Sequence, residues 1–99
     1  MTKLTQTGSS SWSLDGELTF ATVAGILNRG PPVNPAEAVV LDLSGVTRGD
    51  SAGLALLVEW LRIARDRGGT LEFTGLPKEM VRLARVADLN SLVCENHSR

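Results

Sequence analysis

A strand, a glycine-containing polar segment and a helix follow one another in the middle of the chain, and this unit constrains the fold most. Residues 38–43 form a short apolar, β-branched run, which is typical of a central strand that is parallel to its neighbours or covered on both faces. Residues 54–67 carry apolar side chains at helical spacing and end before two glycines. The polar segment between them predicts a loop, which places Ser51 at the first turn of the helix.

The flanking segments extend this unit to a single mixed α/β domain. Strand and helix patterns alternate along the chain, which favours parallel or mixed pairing through right-handed crossovers. We therefore expect a small mixed sheet of about four to five strands, covered by helices. We predict two short strands joined by an Asp15-Gly16 turn within residues 10–20, a helix over 21–29 capped by Thr19 or Thr22, a strand over 70–75, a helix over 77–88 and a last edge strand over 92–94.

The chain length and the polar ends set the domain limits. With 99 residues the chain forms one domain. We expect residues 1–9 to be a flexible N-terminus, residues 10–95 to be the folded domain and residues 96–99 to be a flexible tail.

Composition excludes several classes of function. The net charge of -1 leaves no basic excess for binding nucleic acid. No apolar run approaches the ~18 residues of a membrane span and no secretory signal is visible, so we expect a cytoplasmic protein without direct membrane insertion. Cys94 is the single cysteine and is interpreted as a small buried apolar residue. No spacing of ligand residues suggests a metal or another cofactor.

The central helix has more apolar surface than a sheet alone needs. Its apolar arc covers roughly 220°, against the ~100° or somewhat more of a helix that lies on a sheet. The flanking helices can cover the surplus, or one flank can be kept for a partner. In the second case Leu56 and Trp60 belong to the binding surface, with Trp60 as its anchor.

Ser51 lies in Gly49-Asp50-Ser51-Ala52-Gly53, which fits the G-x-S-x-G pattern of hydrolase nucleophiles. A hydrolase is disfavoured because the one histidine, His97, lies near the C-terminal end, and because residues 45–50 separate Ser51 from the predicted strand. Nucleotide binding is weak, since the glycine spacing fits neither phosphate-loop pattern. Two interpretations stay open: Asp50 or Ser51 only caps the helix, or the Ser51 hydroxyl contacts a partner or accepts a phosphoryl group.

The sequence resembles the STAS domain, the fold of anti-sigma factor antagonists. The resemblance rests on the run 40–46, on Asp50-Ser51-Ala52-Gly53-Leu54, and on the segments 14–18 and 71–76. Within the family the chain is similar to the small STAS subunit of the Mla phospholipid-transport ABC complex. Ser51 occupies the Ser/Thr position that sigma-regulating members use as a phosphoacceptor.

The resemblance implies a non-enzymatic accessory subunit. Such a subunit binds the ATPase of the transporter, supports its assembly and activity, and thereby helps to maintain outer-membrane lipid asymmetry. It is peripheral to the inner membrane because the ATPase connects it to the permease. The binding residues would be Asp50, Ser51, Ala52 and Gly53, together with the flank of Leu56 and Trp60. The alternative is an anti-sigma factor antagonist whose kinase phosphorylates Ser51.

Overall fold

Four strands and three helices make up the computed structural model, which describes residues 2–86. The elements are β1 (Lys3–Gly8), β2 (Ser11–Leu18), α1 (Phe20–Ile26), β3 (Ala38–Gly49), α2 (Ser51–Asp66), β4 (Thr70–Thr74) and α3 (Lys78–Val86). The predicted strand over 92–94, the tail over 96–99, Cys94 and His97 lie outside the described residues.

The strands form one mixed sheet in the order β1-β2-β3-β4. β1 pairs with β2 in an antiparallel hairpin, whereas β3 is parallel to both β2 and β4. The chain therefore makes two strand–helix–strand crossovers, through α1 and through α2. The predicted α/β class and the mixed sheet are confirmed.

The core lies between the sheet and α2. Burial alternates along β3, so one side of this strand is covered by side chains of the core and the other is more open. α2 packs on β2, β3 and β4 and is flanked by α1 and α3. The largest fully buried side chains are Phe73, Leu14, Leu18, Leu41, Leu43, Leu57, Met80 and Val39.

The N-terminal segment differs from the sequence prediction. Residues 3–8 are an edge strand rather than a flexible segment, because their backbone groups pair with β2 from Lys3↔Asp15 to Gly8↔Ser11. The hairpin turn lies at residues 9–10. The predicted Asp15-Gly16 turn is wrong: both residues lie within β2, where Gly16 has φ 107° and the pairing with β3 shifts register on both sides of this pair. The turn-like dipeptide is an irregularity inside a strand.

β3 is longer than the apolar run that predicted it. The strand continues through Gly45 to Gly49, so that only Asp50 separates it from α2. The segment 44–49 pairs with the second half of β2 across the register shifts, and backbone bonds to a neighbouring strand can extend a strand beyond its apolar residues.

The apolar arc of α2 is covered by its neighbours. Leu56 and Trp60 are each only 3% exposed. The indole N–H of Trp60 donates to the Leu27 carbonyl oxygen at 3.1 Å, so the end of α1 lies against this flank. Of the two interpretations of the surplus apolar surface, the structure supports coverage by flanking elements.

A glycine allows the first turn of α2 to approach the end of β2. A Cβ atom added at Gly53 would overlap the carbonyl oxygen and the Cβ of Leu18. Because the obstacle is partly backbone, it cannot move aside as a flexible side chain can. Gly53 thus sets the distance between α2 and the sheet.

We expect Gly53→Ala to lower the free energy of unfolding by roughly 1–3 kcal/mol, since overpacking costs this much where the surroundings cannot yield. Urea unfolding followed by circular dichroism measures the change. Gly25→Ala is the matched control, because a Cβ there meets nothing within 4 Å and alanine is favoured in a helix. Equal stability of the two variants would contradict a close contact at Gly53.

Candidate functional site

The first turn of α2 is organised by one carboxylate. Asp50 is the N-cap residue, and its Oδ1 accepts hydrogen bonds from the backbone N–H groups of Ala52 (2.9 Å) and Gly53 (3.1 Å). Its own backbone N–H donates to the Leu18 carbonyl oxygen at 3.1 Å. The prediction that Asp50 or Ser51 caps this helix is resolved in favour of Asp50.

The same carboxylate holds the start of α1. Oδ2 of Asp50 accepts a hydrogen bond from the backbone N–H of Phe20 at 3.0 Å. At the other end of α1, the carbonyl of Leu27 accepts from Trp60, which lies ten positions after Asp50. The two helices therefore run side by side in the same direction, and both N-termini lie at one edge of the domain.

The hydrogen bonds favour the ionised form of Asp50. The N–H of Phe20 has the largest effect in lowering the pKa of this carboxyl below its usual value of 3.8, followed by the N–H groups of Gly53 and Ala52 and the charge of Arg48. Partial desolvation opposes them without reversing the direction. The site thus carries a fixed negative charge at neutral pH.

Ser51 lies next to this charge, at the first helical position and on the surface. Within residues 2–86 its hydroxyl has no hydrogen-bond partner, so it is not needed as a cap and is available to another molecule. A hydroxyl that points into solvent at a helix start can donate to a partner or carry a phosphoryl group.

One sequence argument against a nucleophile requires correction. Residues 45–50 do not separate Ser51 from a strand, because β3 extends to Gly49. The backbone geometry provides a different argument. A nucleophile elbow needs a strained turn, whereas Ser51 is helical and Ala36 is the one non-glycine residue with positive φ in the described part of the chain.

The structure brings together only part of the predicted binding set. Asp50 and Ala52 are half-buried beside the exposed Ser51 and can take part in a contact surface. Gly53 is buried against the end of β2, where it spaces α2 from the sheet. The interpretation of Leu56 and Trp60 as surface anchors is wrong for this fold, because both side chains are buried and the Trp60 indole bonds the residue that ends α1.

The sequence analysis missed Phe20, whose side chain is 82% exposed although it is large and apolar. It begins α1 beside the α2 cap, and an exposed aromatic residue of this kind is typical of binding surfaces. Its position in the sequence could have indicated this exposure. Phe20 directly follows the capping residue Thr19 and does not belong to the apolar face of the helix, which Val23, Ile26 and Leu27 form.

The described residues contain no group of three or more potential metal ligands among His, Cys, Asp and Glu. No helix found in residues 2–86 combines the length and apolarity required to cross a membrane. The surface at the starts of α1 and α2 presents the hydroxyl of Ser51, the carboxylate of Asp50 and the exposed aromatic ring of Phe20.

We expect Asp50→Ala to lower the free energy of unfolding at neutral pH by about 1–2 kcal/mol, the usual cost of losing an N-cap. Asp50→Asn should cost less, because its remaining side-chain oxygen can still accept from the N–H groups of α2. The folded-state pKa of Asp50 is lowered, so the stability advantage of the native protein over the Asp50→Asn variant is present above pH 3.8 and disappears as the pH falls through the lowered pKa. Urea unfolding at a series of acidic pH values measures this; a difference that does not change with pH would contradict the role of the charge.

Comparison with known proteins agrees with this geometry. The family model described as "Mlab, STAS domain" matches residues 3–94. The solved structure of the unphosphorylated anti-sigma factor antagonist SpoIIAA is similar, with a TM-score of 0.55 and 14% identity over 86% of this chain and 82% of that chain. The murine anion transporter Slc26a9, in its inward-facing state, gives a TM-score of 0.53 and 16% identity over 90% of this chain.

This chain corresponds to only 14% of the Slc26a9 chain, and at these identities the two structures show the shared fold alone. No curated protein matches the sequence significantly. STAS domains are generally non-catalytic regulatory or accessory domains that act through partner proteins. The family match over almost the whole chain, together with the four-stranded mixed sheet and its flanking helices, shows that the chain belongs to the MlaB-type STAS domain family.

Proposed function

We propose that this protein is a non-enzymatic accessory subunit that binds the ATPase of an Mla-type phospholipid-transport ABC complex and supports its assembly and activity. Through the ATPase and the permease it is peripheral to the inner membrane on the cytoplasmic side, and it serves outer-membrane lipid asymmetry. The observation that carries the proposal is the match of the MlaB-type family model to residues 3–94. No cofactor is needed for this role.

The surface that we assign to the ATPase lies at the common N-terminal edge of α1 and α2. Ser51 supplies a hydroxyl without a partner in residues 2–86, and Phe20 supplies an exposed aromatic ring. The Asp50 carboxylate joins the two, because it bonds the Phe20 N–H and caps the helix that Ser51 begins. This arrangement combines an apolar anchor with fixed polar groups, as binding surfaces commonly do.

The position of this surface favours a rigid docking mode. Both helix starts are fixed by hydrogen bonds to one residue, so a partner contacts a preformed edge and loses little free energy in ordering it. Ala52 is half-buried at the same turn and leaves room for close approach.

We expect Ser51→Glu to abolish or strongly weaken co-purification with the ATPase, because it adds an unpaired charge beside Asp50 in a contact that excludes water. Ser9→Glu is the matched control: Ser9 is exposed in the hairpin turn before β2, at the opposite end of the strands from Ser51. Pull-down of the membrane complex from cells that express each tagged variant measures the effect.

Phe20→Ala should also weaken the complex, by tenfold or more, if the ring is buried in the contact. It leaves the Phe20 backbone bond to Asp50 in place, and it should barely change the thermal unfolding midpoint of the free protein. Recovery of the ATPase at the unaltered level with both Ser51→Glu and Phe20→Ala would refute the proposed surface.

A second candidate function is that of an anti-sigma factor antagonist regulated by a kinase at Ser51. It is favoured by the exposed hydroxyl of Ser51 at the start of a helix in a fold shared with SpoIIAA. A phosphate there would add nearly two negative charges beside Asp50, would repel an acidic partner surface and would lose hydration against an apolar one.

Incubation with ATP and a cognate anti-sigma factor kinase separates the two functions. The second function predicts a mass increase of one phosphoryl group in the intact protein, and no increase in Ser51→Ala. Intact-protein mass spectrometry measures both. An unmodified protein that co-purifies with the ATPase favours the transporter subunit.

A further inference from the structure

A cleft of about 370 Å³ lies at the other end of the α1–α2 pair, away from Ser51. It opens between the end of α1, the segment that leads to β3, and the last two turns of α2. The residues that line it are Leu27, Asn28, Gly30, Pro31, Pro32, Val33, Trp60, Ile63, Ala64 and Arg67. Its volume is within the range of small-molecule sites, roughly 300–1,000 Å³.

The inner part of the cleft is apolar and rigid. Trp60, Val33 and Ala64 are nearly fully buried, so they form a packed floor. Gly30 lies so close to the indole that an added Cβ would come within 2.8 Å of the Trp60 Nε1 atom. Pro31 and Pro32 fix φ in the adjoining wall, and a preformed wall reduces the entropy lost when a ligand binds.

The Trp60 N–H is not available to a ligand, because it already donates to the Leu27 carbonyl oxygen. The indole is only 3% exposed, so it closes the floor of the cleft, and the more exposed apolar side chains of the lining are those of Leu27 and Ile63. An apolar body, such as an alkyl chain, fits against these side chains, and the polar atoms that the cleft also exposes suit the polar end of an amphiphile.

Arg67 gives the rim of the cleft its one charge. The ion pairs of residues 2–86 involve Arg62 with Glu59 and Asp66, and they leave the Arg67 guanidinium without a carboxylate. Glu37, the acidic residue of the segment between α1 and β3, already accepts from the Asn34 N–H and the Ser10 hydroxyl.

Arg67 is also not needed to cap α2 through its side chain. The carbonyl oxygens at the end of the helix accept hydrogen bonds from the backbone N–H groups of Arg67, Gly68 and Gly69. Arg67 is exposed on the rim of the cleft, where its guanidinium is a positive, multidentate donor that suits a carboxylate or phosphate group.

We propose that this cleft binds a small anionic amphiphile, with the anionic group on Arg67 and the apolar body against Leu27 and Ile63, over the floor that Trp60 closes. The carboxylate and phosphate forms share this chemistry. The inference does not depend on the proposed partner, because the cleft and the Ser51 surface lie at opposite ends of α2.

Titration with octyl phosphate, followed by calorimetry on the full chain, tests the proposal. We expect saturable binding, and clearly weaker binding of inorganic phosphate, which lacks the apolar body, and of octanol, which lacks the charge. Octanoate in place of octyl phosphate tells whether a carboxylate serves as well. Equal binding of octanol or of inorganic phosphate, or no saturable binding of either octyl anion, would overturn the proposal.

Arg67→Gln should weaken octyl phosphate binding about tenfold, since a charge-assisted bond is replaced by a neutral one. Arg65→Gln is the matched control, because Arg65 is an exposed arginine of the same turn that does not line the cleft. Both changes are on the surface, so the variants should fold. In a Trp12→Phe background, where Trp60 is the only tryptophan, its emission should shift on binding. Equal affinity of the two arginine variants would show that the anion does not contact Arg67.

Discussion

Asp50 connects three elements, α2, α1 and β2, through its carboxylate and its backbone N–H. One oxygen caps α2, the other holds the first N–H of α1, and the backbone N–H of the same residue bonds the end of β2. A helix of seven residues is too short to be stable alone in water, so α1 depends on such contacts. The surface around Ser51 therefore depends on Asp50, which directly follows β3 and bonds the end of β2.

The sequence was sufficient for the fold class because its strongest patterns are also the most buried elements. The apolar run at 38–43 and the helical spacing after Asp50 correspond to β3 and α2, which make most of the core. The position of Ser51 at the start of α2 followed from the same patterns. Local sequence and tertiary packing agree in these segments, which is why they could be predicted.

Other elements depend on pairing that no local pattern reveals. β1 has mostly polar side chains, and its backbone bonds to β2 make it a strand. Gly45 and Gly49 are typical of a loop, yet they lie in β3 because β2 runs beside them. Asp15-Gly16 is a frequent turn sequence, but here the positive φ of Gly16 accommodates an irregularity inside β2.

The site residues show the same difference between what local sequence predicts and what only tertiary packing decides. Asp50 and Ser51 were placed at the helix start because helix caps have local rules.

The role of Trp60 depends on where α1 and the segment after it lie, which is tertiary information. The helical projection alone left open whether this residue is covered by neighbouring elements or is a surface anchor, whereas in the folded chain it is a buried donor to Leu27 and part of the floor of a cleft. α1 and α2 are thus the elements that the two surfaces have in common. Phe20 at the start of α1 belongs to the proposed ATPase surface, and Leu27 just after the end of α1 lines the cleft. Any effect of an amphiphile in the cleft on the affinity for the partner must act along α2, or through α1 and the hydrogen bonds near its two ends. By linkage, the partner would then change the affinity of the cleft by the same factor.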